Sequence, residues 1–150
     1  GVDTPRSLAR TGAQRRAALR NMSGNEGRIT RHMLQAQVQA DAGALARSDE
    51  ELAHAMRLLK KLPRSELRDD NLFYFMRRSA ELGAWNAIQR GGTARADSVL
   101  TAGIATVRGA KAYVEPADYH FALARLWHLK ARFQASSPAA NAATNPAGVE

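Results

Sequence analysis

From residue 25 to residue 133 apolar side chains recur at three- and four-residue steps, and β-branched residues are few. That is the period of a helix and not of a strand. The pattern predicts an all-α chain, a compact bundle of about five to six antiparallel helices arranged as helical hairpins with short connections. The stretch around which the rest is organised is Asp69–Gly92, which contains Phe73, Tyr74, Phe75 and Trp85. Asp69 or Asp70 can accept the free N–H groups of a first turn, and a carboxylate there suits the helix dipole. Leu72, Phe73, Met76, Ala80, Gly83, Ala84, Ala87 and Ile88 then form one wide apolar stripe. Phe75 and Leu82 fall outside it, so this helix is expected to be covered on more than one side. Arg77, Arg78 and Glu81 read as its remaining polar strip. Gly91-Gly92 is a strong stop, because glycine adopts the left-handed C-terminal conformation without steric penalty.

On either side the same reasoning yields the other helices. Thr4-Pro5 starts a thinly striped first helix (Leu8, Ala18, Leu19, Met22) whose remainder is Arg6, Arg10, Arg15, Arg16 and Arg20; it reads as a frayed basic surface helix or an arm. Ser23 and Glu26 fit a capping box for a helix from Asn25 to about Ala46, with Ile29, Met33, Ala36, Ala40 and Gly43 inward and Leu34, Val38 and Leu45 widening the stripe. Ser48 and Glu51 fit a second capping box, opening a helix with Leu52, Ala55, Met56, Leu59 and Leu62 inward that Pro63 ends. Arg64–Arg68 is a short connection. Thr93 can cap a helix that buries Ala96, Val99, Leu100, Gly103, Ile104 and Val107 and weakens at Gly109. Glu115-Pro116 starts the last helix, with Tyr119, Ala122, Leu123, Leu126, Leu129, Lys130 and Phe133 on one face. Phe73, Met76, Leu100, Leu123 and Leu126 are the expected centre of the core. The final segment, 136–150, has Val149 as its one large apolar residue and reads as a disordered tail or linker. The expected organisation is a basic N-terminal helix or arm (1–24), a helical bundle domain (25–135) and the tail (136–150).

Composition agrees with one domain: 150 residues, 45% hydrophobic and 24% charged. The absence of cysteine excludes disulfides, thiolate catalysis and Cys-based zinc sites. No apolar run approaches the roughly 18 residues of a membrane span, and no signal-peptide pattern is seen; a cytoplasmic or secreted soluble protein is expected. The chain opens on Gly-Val-Asp and not on Met, which is compatible with an excised piece of a longer protein. The net charge of +8 is uneven. Residues 1–47 carry eight Arg against three acids, residues 48–90 eight basic residues against seven acids, and residues 91–135 six against three. Excess positive charge concentrated near one end points to an anionic partner; a GC-rich coding sequence would produce the same excess without one.

Leu82-Gly83, Trp85, Gly91, Ala96 and Leu100 fall in an order that resembles a tetratricopeptide hairpin. The spacing differs by one residue, the closing proline is missing, and no second copy follows at the repeat period of about 34 residues. The resemblance spans about a quarter of the chain and implies a packed helical hairpin and nothing further.

Candidate chemistry is sparse. Glu51 and His54 have the Glu-x-x-His spacing of helical di-metal sites, but no second such pair and no supporting glutamates exist, and Glu51 is accounted for by the capping box. Asp118 and His120 point to different sides of a helix. No phosphate-binding loop is present. Neither a cofactor nor a metal is expected, and the chain is not read as an enzyme. Arginine clusters remain: Arg10, Arg15, Arg16 and Arg20 near the start, and Arg77-Arg78 in the central helix, are the candidate partner- or anion-binding residues, since the planar guanidinium fork suits carboxylate and phosphate alike. For Arg77-Arg78 a solvated helix face is the plainer reading. Tyr74 and Trp85 are candidates for a ligand surface, against the plainer reading of core aromatics. The leading expectation is a non-enzymatic protein–protein interaction module (adaptor, assembly component or secreted effector domain) with a partner of acidic surface. The alternative is a nucleic-acid-binding protein that contacts the phosphate backbone through its arginine-rich first helix; an enzyme-accessory or small-ligand sensor bundle is a third.

Overall fold

The computed structural model describes residues 24–135. Among them are five α-helices, α1 (Gly24–Asp41), α2 (Leu45–Lys61), α3 (Asp70–Gln89), α4 (Thr93–Gly109) and α5 (Pro116–Ala135). Two short 3-10 turns, Arg64–Arg68 and Lys111–Tyr113, precede α3 and α5, and the described residues contain no strand. The basic first segment and the C-terminal tail of the sequence reading lie outside the described residues. Consecutive helices pack as hairpins, α1 on α2, α3 on α4 and α4 on α5, while α3 also touches α1, α2 and α5. The helical periodicity is thereby realised as a bundle with α3 at its centre.

The limits of α3 are those its residues dictate. The Asp69 side chain accepts from the N–H groups of Asn71 and Leu72. At the other end Gly91 takes φ +77°, so that Gly91 N–H reaches Ile88 C=O at 2.9 Å and Gly92 N–H reaches Ala87 C=O at 2.8 Å. This paired return is the Schellman closure. The same closure ends α1, where Gly43 takes φ +79° and the N–H groups of Gly43 and Ala44 bond Ala40 and Gln39.

That closure corrects the expected boundary between α1 and α2. Gly43 is the terminator of α1 and not part of its inner stripe, and α2 begins at Leu45, ahead of the expected capping box. Ser48 lies inside the first turn, fully buried, and donates to Ala36 C=O at 2.8 Å while accepting from Asn86 Nδ2 at 2.9 Å. Its hydroxyl fastens α2 to α1 and α3 where a cap would have faced its own helix. Glu51 bonds His32 Nδ1 on α1 at 2.6 Å. Thr93 is likewise the first residue of α4 and not its cap; Gly92 holds that position with no side-chain bond.

The core comprises Ile29, Leu72, Phe73, Met76, Leu100, Ile104, Leu126 and their neighbours. Of the five residues expected at its centre, Phe73, Met76, Leu100 and Leu126 are buried and Leu123 is half-buried. Leu82 is buried and Phe75 half-buried, as a helix covered on several sides requires. Leu34 and Val38, expected to widen the stripe of α1, are exposed instead, because the buried line of α1 runs through Gly27, Ile29, Met33 and Ala36. Small residues set the helix spacing. A Cβ on Gly103 of α4 would stand 2.5 Å from the Cβ of Ala80 on α3, and one on Gly83 would stand 3.3 Å from Val99. The glycines therefore let α4 lie directly against α3.

Candidate functional site

The polar strip expected on α3 is not solvated. Glu81 is 1% exposed, a carboxylate covered from solvent, and burial of an unpaired charge is prohibitively costly. Three guanidiniums surround it. Arg77 bonds Oε1 from one turn earlier on α3, Arg78 bonds Oε2 at 3.3 Å, and Arg125 of α5 grips both oxygens from Nε and Nη2 at 3.0 and 3.3 Å. Arg78 also donates to Gln37 of α1 at 2.7 Å, and Gln37 to Asp41 at 2.8 Å. One carboxylate thus joins α1, α3 and α5. Burial pushes the Glu81 carboxyl up, but the hydrogen bonds from Arg125 and Arg77 and the charges behind them outweigh it and hold the group below the usual carboxylate range. Reciprocally, the bond to Glu81 and its charge raise the Arg125 guanidinium.

Beside this cage is a cleft of about 630 Å³ between the first half of α3, the two 3-10 turns and the start of α5. Tyr74 and Phe121 stand exposed at its edge. Arg77 lies between them, its Cζ 5.1 Å from the Tyr74 ring centre and 5.3 Å from that of Phe121, and Arg125 reaches Phe121 at 5.8 Å. The cleft is bipolar: Arg68 and Arg77 line it together with Glu115 and Asp118. Three arginines against one glutamate leave the cage with surplus positive charge beside two exposed aromatic rings. Such a surface can accept a carboxylate with an apolar neighbour.

The sequence candidates separate accordingly. Arg77 and Arg78 are brought together on Glu81, and the side chain of Arg77 is only 12% exposed; they are not a solvated helix face. Arg10, Arg15, Arg16 and Arg20 lie outside the described residues. Of the two candidate aromatics, Tyr74 faces the cleft, whereas Trp85 packs edge-on against Phe133 at 4.9 Å and helps seat the end of α5. Phe121 and Arg125 were not singled out from sequence. Their signal was faint: Phe121 lies off the Tyr119–Ala122–Leu126 stripe, with an arginine four residues later on the same face.

His32, Glu51 and His54 also converge. His32 bonds Glu51, its ring stacks on His54 at 5.0 Å, and His54 Nδ1 meets Arg57. No group of three or more His, Cys, Asp or Glu among the described residues is arranged to hold a metal ion. No described helix is long and apolar enough to cross a membrane. The chain matches no family model, no curated protein and no solved structure.

Proposed function

We propose that the protein is a non-enzymatic helical interaction module, of the adaptor, assembly-component or secreted-effector kind, whose partner presents an acidic surface. The observation that carries this reading is the exposed pair Tyr74 and Phe121 flanking Arg77 at the rim of the cleft. Aromatic and arginine side chains are the residues that dominate binding energy at protein interfaces, and here Glu81 holds Arg77 between the two rings. A partner glutamate or aspartate would meet Arg125, whose side chain is 49% exposed, and an apolar neighbour would cover the rings. The test is affinity capture with the native chain and with a Tyr74→Ala/Phe121→Ala variant, followed by a binding isotherm on the captured protein. Both rings are exposed, so the variant retains its fold, and truncating two interface anchors should weaken binding by at least about 2 kcal/mol. Equal binding by both forms refutes the reading.

The second reading, nucleic-acid binding, is supported by the five arginines against one aspartate in residues 1–20. Changing Arg15, Arg16 and Arg20 to Gln should reduce the slope of log affinity against log salt on duplex DNA by roughly 0.9 per lost phosphate contact. If the variant folds and its nucleic-acid binding is unchanged, that reading fails.

A further inference from the structure

A second concave surface lies on another face of α3. Helices α2 and α4 both lean on α3 and scarcely touch each other. Because Gly83 and Gly103 allow α4 to sink onto α3, an open trough remains above them. Its floor is Ala80, Gly83 and Met76, and its walls are Ala53 and Met56 on one side and Val99 and Ala102 on the other. It holds about 270 Å³ there and continues past Met56, Met76 and Thr106 into a further 350 Å³ toward Leu67. The α4 wall runs from Arg95 to Thr106, three helical turns or about 16 Å. The rim is basic: Lys60, Arg64 and Arg95 border the trough. None of the three is paired with a carboxylate among the described residues, Arg64 bonding the Gly109 carbonyl instead. Asp49, the acid at the far end, is already engaged by Arg90 and Asn86, each at 3.0 Å.

We infer that this trough docks a short amphipathic helix of another protein, with apolar residues at three- and four-residue spacing and acidic residues along its flanks. The inference rests on the interaction-module reading and specifies a separate surface for it. Dimensions and lining fit the helix-in-groove mode, and a methionine in the wall, Met56, and one in the floor, Met76, can adapt to different apolar side chains. Charge selects the occupant. The chain's own residues 1–20 carry five arginines and one aspartate, the same sign as the rim, and residues 136–150 offer Val149 as their one large apolar side chain. Neither segment complements the trough, whereas an acidic amphipathic helix does.

The probe is a synthetic four-turn helical peptide with leucines on one face and glutamates on its flanks, compared with the same peptide carrying lysines in place of glutamates. By fluorescence anisotropy the glutamate peptide binds at least about tenfold more tightly. It shifts the methyl NMR signals of Met56 and Met76 and leaves that of Met33, on α1, in place. Ala102→Trp, at an exposed position that fills the trough, abolishes binding. Lys60→Glu/Arg95→Glu, at exposed positions that leave the core intact, reverses the preference in favour of the lysine peptide, and keeps the test decisive if the tryptophan variant misfolds. Equal binding of the two peptides, no binding of either, or methyl shifts confined to Met33 overturns the proposal. Loss of peptide binding in Tyr74→Ala/Phe121→Ala, with the trough variants unaffected, also overturns it while leaving the interaction-module reading intact.

Discussion

Replacing Glu81 with Gln keeps the shape of the side chain and removes its charge. The glutamine carbonyl can still accept from one arginine, but the amide repels the other donors, and Arg77 is left as a nearly buried cation without a counterion. Removing one partner of a buried, hydrogen-bonded ion pair costs about 3–5 kcal/mol, and the geometry places Glu81 in that class: it is 1% exposed and bonded by three guanidiniums. Arg125, whose side chain is 49% exposed, is far less critical; Arg125→Gln should cost about 1 kcal/mol or less, as solvent screens its half of the pair. For a domain of this size the Glu81 variant should melt roughly 10–20 °C lower. The assay is thermal and urea denaturation followed by circular dichroism between pH 7 and pH 2. Because the folded-state pKa of Glu81 is lowered, its ionised form stabilises the fold fully above the ordinary carboxylate value of about 4.3, and that contribution disappears as the pH falls through the folded value. The gap between wild type and Glu81→Gln should therefore be wide at pH 7 and narrow toward pH 2. A Glu81→Gln protein within 1 kcal/mol of wild type at pH 7, or a gap that does not change with acid, would refute the account of the cage.

Three further outcomes are expected. Phe73→Ala should lose about 3–5 kcal/mol through lost burial and the cavity left at the base of α3, read as a lowered urea midpoint; an unchanged midpoint would show that this face of α3 carries no packing. Gly103→Ala should destabilise by about 1–3 kcal/mol despite its better helix propensity, since the added methyl would stand 2.5 Å from Ala80 Cβ; a gain in stability would mean α4 is not seated against α3. Burial, with the nearby charges of Asp69 and Glu66, raises the Glu26 carboxyl above its usual range, so its ionised form disfavours the fold once the pH exceeds that raised value; the melting temperature of Glu26→Gln relative to wild type should climb from pH 3 to pH 7, and a flat difference would argue against the repulsion.

Much of the architecture was already legible as local pattern. The all-helical class, the centrality of α3, its Asp69 cap and its Gly91 stop, the break at Pro63 and the start of α5 at Pro116 follow from periodicity and from chemistry that acts within one turn. The boundary between α1 and α2 was not legible, because Ser48 and Glu51 satisfy the capping-box pattern equally well as interior residues that bond across to Ala36, Asn86 and His32. The candidate site was half visible: Arg77, Arg78 and Tyr74 could be named, but not that the first two enclose a carboxylate. A glutamate beside two arginines on a helix looks like a surface strip until a third helix covers it. Arg125 lies 44 residues away in sequence, and only tertiary packing brings it onto Glu81, sets Phe121 opposite Tyr74, and leaves a trough where α2 and α4 fail to meet. Periodicity records which face of a helix is apolar; which charges are buried, and which grooves stay open, depends on how closely the glycine-marked surfaces allow the helices to approach.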